Sequence, residues 1–271
     1  MLRQLLQLGL LAIVLIAFMF LPFMPGDYDW AAVALSNFAQ ALGVASVLLV
    51  PLGIVWLVFG RGEQSRVRII SAIVASILVV LAAAVSALIS NSLSVALGLL
   101  VVGTFLAVNF VRRQTKIASP GFDATPLYLI VLPILILAFK IAFMSSAVEF
   151  SRSRGIQSSQ QLINDIESFY ARTGTYPVSL LSLWEDYKPG VIGISRYYYE
   201  PNGKAYNLYF EQFFEELGVR EIVMYNKLGE HRVHSHNSDR LLLAPADQIR
   251  QQGWIRVVEL PQANWRYFWF D

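Results

Sequence analysis

Leu5–Met24 carries no charged side chain and a single amide, Gln7. An apolar helix of roughly 20 residues matches a hydrocarbon core of about 30 Å. The pattern recurs at residues 38–59, 69–89, 93–111 and 127–148. Such runs predict a multi-span α-helical membrane protein with about five transmembrane helices, the first over residues 5–24. The less apolar stretch from Trp30 leads into the second. "SNS" at Ser90–Ser92 is a tight polar turn between the third and fourth. Pro51 and Pro133 fall inside spans, where each removes a backbone donor and predicts a kink. The first run exceeds the apolar core of a secretory signal, and "LPFMPGDYDW" has no small-x-small cleavage site, so a retained anchor is expected.

Charge divides the chain in two. Residues 1–148 hold 8 Lys/Arg and 4 Asp/Glu, and residues 149–271 hold 13 and 15. The first part is the expected transmembrane domain, 1–148. The second, 149–271, has an ordinary globular composition. Basic residues alternate from loop to loop: Arg3 before the first span, Arg61, Arg66 and Arg68 after the second, and Arg112, Arg113 and Lys116 after the fourth. The first loop has Asp27 and Asp29 and no base. The bias of Lys and Arg toward the cytoplasm then orients the chain in a bacterial inner membrane. The N-terminus is cytoplasmic and the domain 149–271 extracytoplasmic, or periplasmic. Tyr28 and Trp30 suit an outer interfacial belt.

Several chemistries are excluded. The chain has no cysteine, hence no disulfide or thiolate site. All histidines fall within His231–His236, and no span contains an Asp or Glu. Intramembrane Ser/His or aspartyl proteolysis therefore lacks its base or its carboxylate pair. No HExxH, phosphate-binding Gly-rich loop or Gly-x-Ser-x-Gly occurs. The formal charge of +2 includes no basic stripe on the second part, so no nucleic-acid partner is expected. Gln40, Ser76, Ser86 and Asn109 are scattered singly in spans and suit helix packing. Lys140 breaks the apolar pattern of the fifth span. Either its stem snorkels to the outer headgroups, or it pairs with an acid supplied by another chain.

After the fifth span, Leu162, Ile163, Ile166, Phe169 and Tyr170 form a helical stripe. Gly155 marks either a hinge or a bend in one long rod. Gly174 suits a left-handed helix stop. Tyr176-Pro177 forces an extended step, because proline disfavours helix in the residue before it. Arg196–Glu200 and Ala205–Gln212 predict a hairpin across "PNGK". "REIVMYN" and "EHRVHSH" predict further strands, "APADQIRQQG" a short helix or loop, and "WIRVVEL" and "NWRYFWFD" the last strands.

"IESFYARTGTYPVSLLSL", with the apolar helix before it and the aromatic hairpin after it, resembles the globular region of type IV pilins and of type II secretion major pseudopilins. The matching positions are Leu127–Val148, Ile156–Tyr170, Gly174, Tyr176, Pro177, Leu180 and Leu183, within residues 127–212. The resemblance implies a pilin-like α+β fold, with Gly174, Tyr176 and Pro177 as its structural turn. The chain departs from the family in lacking a prepilin leader before this helix and a Glu near its start. A filament subunit is therefore not implied.

His234 and His236 would share one face of a strand, with His231 on the other. They begin a metal site that Glu230 or Asp239 would complete, or they are solvated strand residues. The terminal aromatics Trp254, Trp265, Tyr267, Phe268 and Trp269 form either sheet core or a stacking surface for a ligand. The leading expectation is non-catalytic and without cofactor. A polytopic membrane protein, in contact with the lipid bilayer, presents a small pilin-like domain to an envelope protein or to a second copy. An accessory subunit of an envelope transport or secretion complex is the alternative. A metal-dependent activity at His231–His236 is the further alternative.

Overall fold

The computed structural model describes residues 2–59, 65–89, 97–98, 100–105, 108–109, 124–213, 220–233, 244–245 and 255–270. The chain forms two compact units. One comprises Met1–Leu21 and Trp30–Ser145, the other Pro22–Asp29 and Ser146–Asp271.

The first unit is helical. It holds α1 (Leu2–Phe20), α2 (Trp30–Ser46), α3 (Val50–Phe59), α4 (Ser65–Ile89) and the first part of α5 (Thr125–Ser158). Helices satisfy their own backbone polar groups, the requirement for apolar runs of this length. The kink expected at Pro51 is a break instead. A 3-10 turn over Val47–Leu49 separates α2 from α3, and Pro51 takes the second position of α3, where its missing N–H costs no helical bond. Pro133 lies inside α5, which continues through it.

Small and polar side chains face inward. Ala34, Ala72 and Ala83 are fully buried. The Ser86 hydroxyl donates to the Ala34 carbonyl at 2.7 Å, and Ser36 to the Met19 carbonyl at 2.7 Å. Leu6, Ile13, Leu48, Leu57 and Ile141 face outward. Small residues allow close helix approach, and an apolar exterior fits a hydrocarbon solvent. Among the described residues, four helical stretches are long and apolar enough to cross a membrane: Leu2–Phe23, Trp30–Val58, Ile69–Ser86 and Thr125–Thr173. The fourth expected span, 93–111, lies partly outside the described residues. Its residues 97–98, 100–105 and 108–109 are helical. The second stretch starts at Trp30 rather than at Phe38, because Ala31–Leu35, apolar throughout, continue the helix.

In the second unit α5 passes to α6 (Gln160–Thr173) with an interruption only at Ser159. Ser159 keeps helical dihedrals, and its carbonyl accepts from Ile163 N–H at 2.9 Å. Gly155 lies inside α5 and is no hinge. It is a contact point: a Cβ there would lie 2.9 Å from Phe210 Cζ, and Tyr197 donates to the Gly155 carbonyl at 2.5 Å.

The strands are β1 (Tyr198–Pro201), β2 (Tyr206–Gln212), β3 (Arg220–Asn226), β4 (Arg232–Val233), β5 (Ala244–Pro245), β6 (Ile255–Glu259) and β7 (Trp265–Phe270). Five form an antiparallel sheet in the order β1-β2-β3-β7-β6. The expected hairpin is present, with Tyr198 opposite Tyr209 and Pro201 opposite Tyr206. Two expectations change. The "EHRVHSH" strand narrows to Arg232–Val233 among the described residues, and "APADQIRQQG" begins as β5, paired with β4. Tyr206, Leu208, Phe210, Val223 and Trp265 alternate onto one face and pack on Ile156, Leu162, Ile163 and Ile166. On the other face Met224 and Phe268 are buried, with the His231 ring 6.1 Å from that of Phe268.

Pro22–Asp29 is also part of this unit. It lies along 188–193 with Pro25 bridged to Val191, and Phe23 packs 5.4 Å from Phe213. The domain expected over 149–271 thus includes a segment from between α1 and α2.

Candidate interaction surface

Gly174 closes α6 in the left-handed conformation at φ 74°, its N–H bonded to the Tyr170 carbonyl at 2.8 Å. The turn sends Tyr176 back along the helix, where its ring stacks on Tyr170 at 4.4 Å and meets Tyr206 edge-on at 5.2 Å. The Tyr199 hydroxyl donates to the Pro177 carbonyl at 3.0 Å. Lys227, just beyond β3, donates to Glu167 at 2.6 Å and to the Tyr176 hydroxyl at 3.0 Å. These two bonds, Glu167 first, raise the Lys227 ammonium above its ordinary pKa. Burial raises the Tyr197, Tyr199 and Tyr206 hydroxyls above the ordinary phenol value, so all stay protonated at neutral pH. Gly174, Tyr176 and Pro177 are therefore brought together as a structural joint between helix and sheet.

The segment after that joint has two apolar faces. A short 3-10 helix, Leu180–Leu183, turns three residues per turn, so positions three apart align. Leu180, Leu183 and Tyr187 pack against the core. Val178, Leu181 and Trp184 point the other way and are 88%, 86% and 93% exposed. Trp184 adopts φ 60°, ψ 16°, capping the turn through its N–H to the Leu181 carbonyl. A bulky residue at positive φ is a conformational outlier, and such strain clusters at binding sites. Beside this ridge lie exposed Glu185 and Asp186, with Glu185 held by Gln161 at 3.0 Å.

The histidine cluster is only partly described. His231 is buried, with Nδ1 3.1 Å from the Gly229 carbonyl and Nε2 3.0 Å from the Asn264 carbonyl. Both ring nitrogens face backbone oxygens, which leaves neither aimed at a metal. Burial lowers its pKa, and the nearby Arg266 charge lowers it further, while the carbonyl contacts oppose this. His234, His236 and Asp239 lie outside the described residues. No group of three His, Asp or Glu side chains converges among the described residues. Lys140 is half-buried on α5.

Sequence reasoning missed three features. Arg152 and Glu221 form a buried ion pair beneath Tyr267. Glu221 shares a face with Val223 and Tyr225, and an acid in a core register calls for a base, so strand register carried that signal. The ridge was legible as an excess: "VSLLSLW" has too many apolar residues for one face. The place of Pro22–Asp29 had only the faint signal of an apolar Phe23 between two prolines.

No family model, no curated protein and no solved structure matches this chain.

Proposed function

We propose that this chain is a five-span protein of the bacterial inner membrane that presents a pilin-like α+β domain outside the membrane for docking to an envelope protein. The ridge of Val178, Leu181 and Trp184 carries this reading. Large apolar side chains in water, one held at positive φ, are poorly explained by the stability of the domain alone. They have the character of binding hot spots, where Trp is enriched. The exposed carboxylates of Glu185 and Asp186 define the partner's chemistry: an apolar recess with a basic rim. The same acids oppose insertion among anionic lipids.

The pilin-like layout is supported by the near-continuous α5–α6 helix, the left-handed Gly174 stop and the antiparallel sheet. The side of the domain is supported by the alternating basic loops and by Pro22–Asp29. Because that α1–α2 connection hydrogen-bonds to 190–193, both lie on one side of any membrane the helices cross. An even number of crossings must then separate Asp29 from the domain. Trp30–Val58, Ile69–Ser86 and α5 supply three, and the helical residues 97–98, 100–105 and 108–109 mark the fourth.

Two measurements test the proposal. A reporter active only outside the cytoplasm should work when fused after Asp271 and stay silent after Lys116; the reverse pattern rejects the orientation. Full-length protein purified in mild detergent should co-migrate with a partner that Trp184→Ser loses. A hot-spot truncation costs about 2 kcal/mol or more, roughly thirtyfold in Kd. An unchanged complex in Trp184→Ser rejects the ridge as the docking surface.

A further inference from the structure

Connections between packed helices need only a few residues, yet Pro22–Asp29 adds to the second unit in the manner of a strand. Gly193 N–H donates to the Pro22 carbonyl at 2.7 Å, Ile192 N–H to the Met24 carbonyl at 3.0 Å, Gly26 N–H to the Gly190 carbonyl at 3.1 Å and Asp29 N–H to the Ile192 carbonyl at 3.0 Å. Phe23 is 1% exposed and packs on Phe213, while Val191 opposite Pro25 is equally buried at 1%. Lys188 and Asp27 approach to 3.5 Å at the rim. The receiving edge is shaped for this segment: a Cβ on Gly193 would stand 2.7 Å from the Pro22 carbonyl oxygen and 2.9 Å from Pro22 Cβ.

We propose that 188–194 is a strand-addition site whose ligand is this chain's own α1–α2 connection, and that the second unit keeps its native packing only with this strap in place. Without Pro22–Asp29, the Gly193 and Ile192 amides and the Gly190 and Ile192 carbonyls lose their partners, and Val191 and Phe213 lose their apolar cover. Backbone groups left unpaired in a buried setting are rare in native folds. Strand addition gains its affinity from such main-chain bonds and its specificity from side-chain pockets, here the one that takes Phe23. The fold of the C-terminal sheet is thereby conditional on the first helical pair. A chain that inserts α1 and α2 inverted leaves its strap across the membrane from the edge it must fill.

The absence of native cysteine allows a direct test in the full-length protein. The bonds flanking Pro25 and Val191 make them a non-hydrogen-bonded antiparallel pair, with Cα atoms about 4.5 Å apart in such pairs, inside the range a disulfide spans. Pro25→Cys with Val191→Cys should form an intramolecular disulfide in oxidised native membranes, seen as a mobility shift absent from either single variant. No cross-link overturns the proposal. A cross-link only between two copies does too, since the strap would then serve a neighbour. Gly193→Val and, separately, the milder Phe23→Ala should speed trypsin cleavage after Arg196 by about tenfold or more, against the global protection expected of a packed edge (the bond after Lys188 leads into Pro189 and resists trypsin in any state). The oxidised cysteine pair should keep the wild-type rate. If both variants resist trypsin as the wild type does, the strap is a passenger and the proposal fails.

Discussion

Arg152 and Glu221 meet in a two-pronged ion pair, Nε to Oε1 at 2.7 Å and a terminal guanidinium nitrogen to Oε2 at 2.9 Å. The guanidinium carbon lies 4.1 Å from the Tyr267 ring centre. Beside it Gln212 donates to the Ser151 hydroxyl and contacts the Val148 carbonyl. Both charges are buried, and the pair fixes α5 against β3. Removing one partner leaves an uncompensated charge, which costs about 3–5 kcal/mol. Arg152→Met and Glu221→Leu should each lower stability by that order. The double variant should recover most of it, because a matched apolar pair needs no counter-charge. Denaturant unfolding of the purified protein decides this, and an additive double variant would contradict coupling between the two.

Gly174 occupies a left-handed position with open space around its Cα. The cost of a side chain there is conformational. Gly174→Val should destabilise the second unit by about 1–2 kcal/mol, and Gly174→Asn by less, since Asn tolerates that region. A thermal melt ranking Val as the more stable of the two would contradict the assignment.

Trp184 separates stability from binding. Its indole is nearly bare and its backbone is strained. Trp184→Asn should leave stability unchanged or raise it by up to about 1 kcal/mol, while partner binding falls. A loss of more than about 1 kcal/mol in the melt would mean that the indole packs on the domain.

His231 gives the unit a dependence on mild acid. Its folded pKa is lowered below the ordinary 6.5, chiefly by burial. The unfolded chain therefore takes up the proton first. The contribution of the neutral ring is fully present above about pH 6.5 and declines as pH falls below it. Stability measured from pH 7.5 to 5.5 should drop with acid in the wild type and flatten in His231→Gln. Equal slopes would assign the loss to other groups.

The elements set by local chemistry were legible in the sequence. Gly174 stops its helix because only a residue without Cβ enters the left-handed region freely. The β1–β2 hairpin follows from "PNGK" and the alternation at Tyr206, Leu208 and Phe210. At Gly155 the sequence leaves a hinge and one long rod both open; the near-continuous helix matches the rod, and the close approach of Phe210 carries no signal in the sequence. His231 is legible only as the histidine on the strand face opposite His234 and His236, because the sequence carries no sign that Asn264, in a later hairpin, turns a carbonyl toward it. The strap and the Arg152–Glu221 pair join segments far apart in the chain, where neither propensity nor periodicity reaches.

The bare indole of Trp184 has an optical consequence. Trp56 and Trp265 are each 3% exposed, shielded within their units. Trp184 stands in water, so its fluorescence should emit to the red of theirs and yield first to a dissolved quencher such as iodide. Trp30 is 51% exposed as well, so the measurement uses Trp30→Phe protein: when a partner covers the ridge, the part of the red emission that belongs to Trp184 should shift to the blue and escape quenching. The chain thus carries its own dye at the position proposed to meet the partner, and occupancy there can be followed in unlabelled protein.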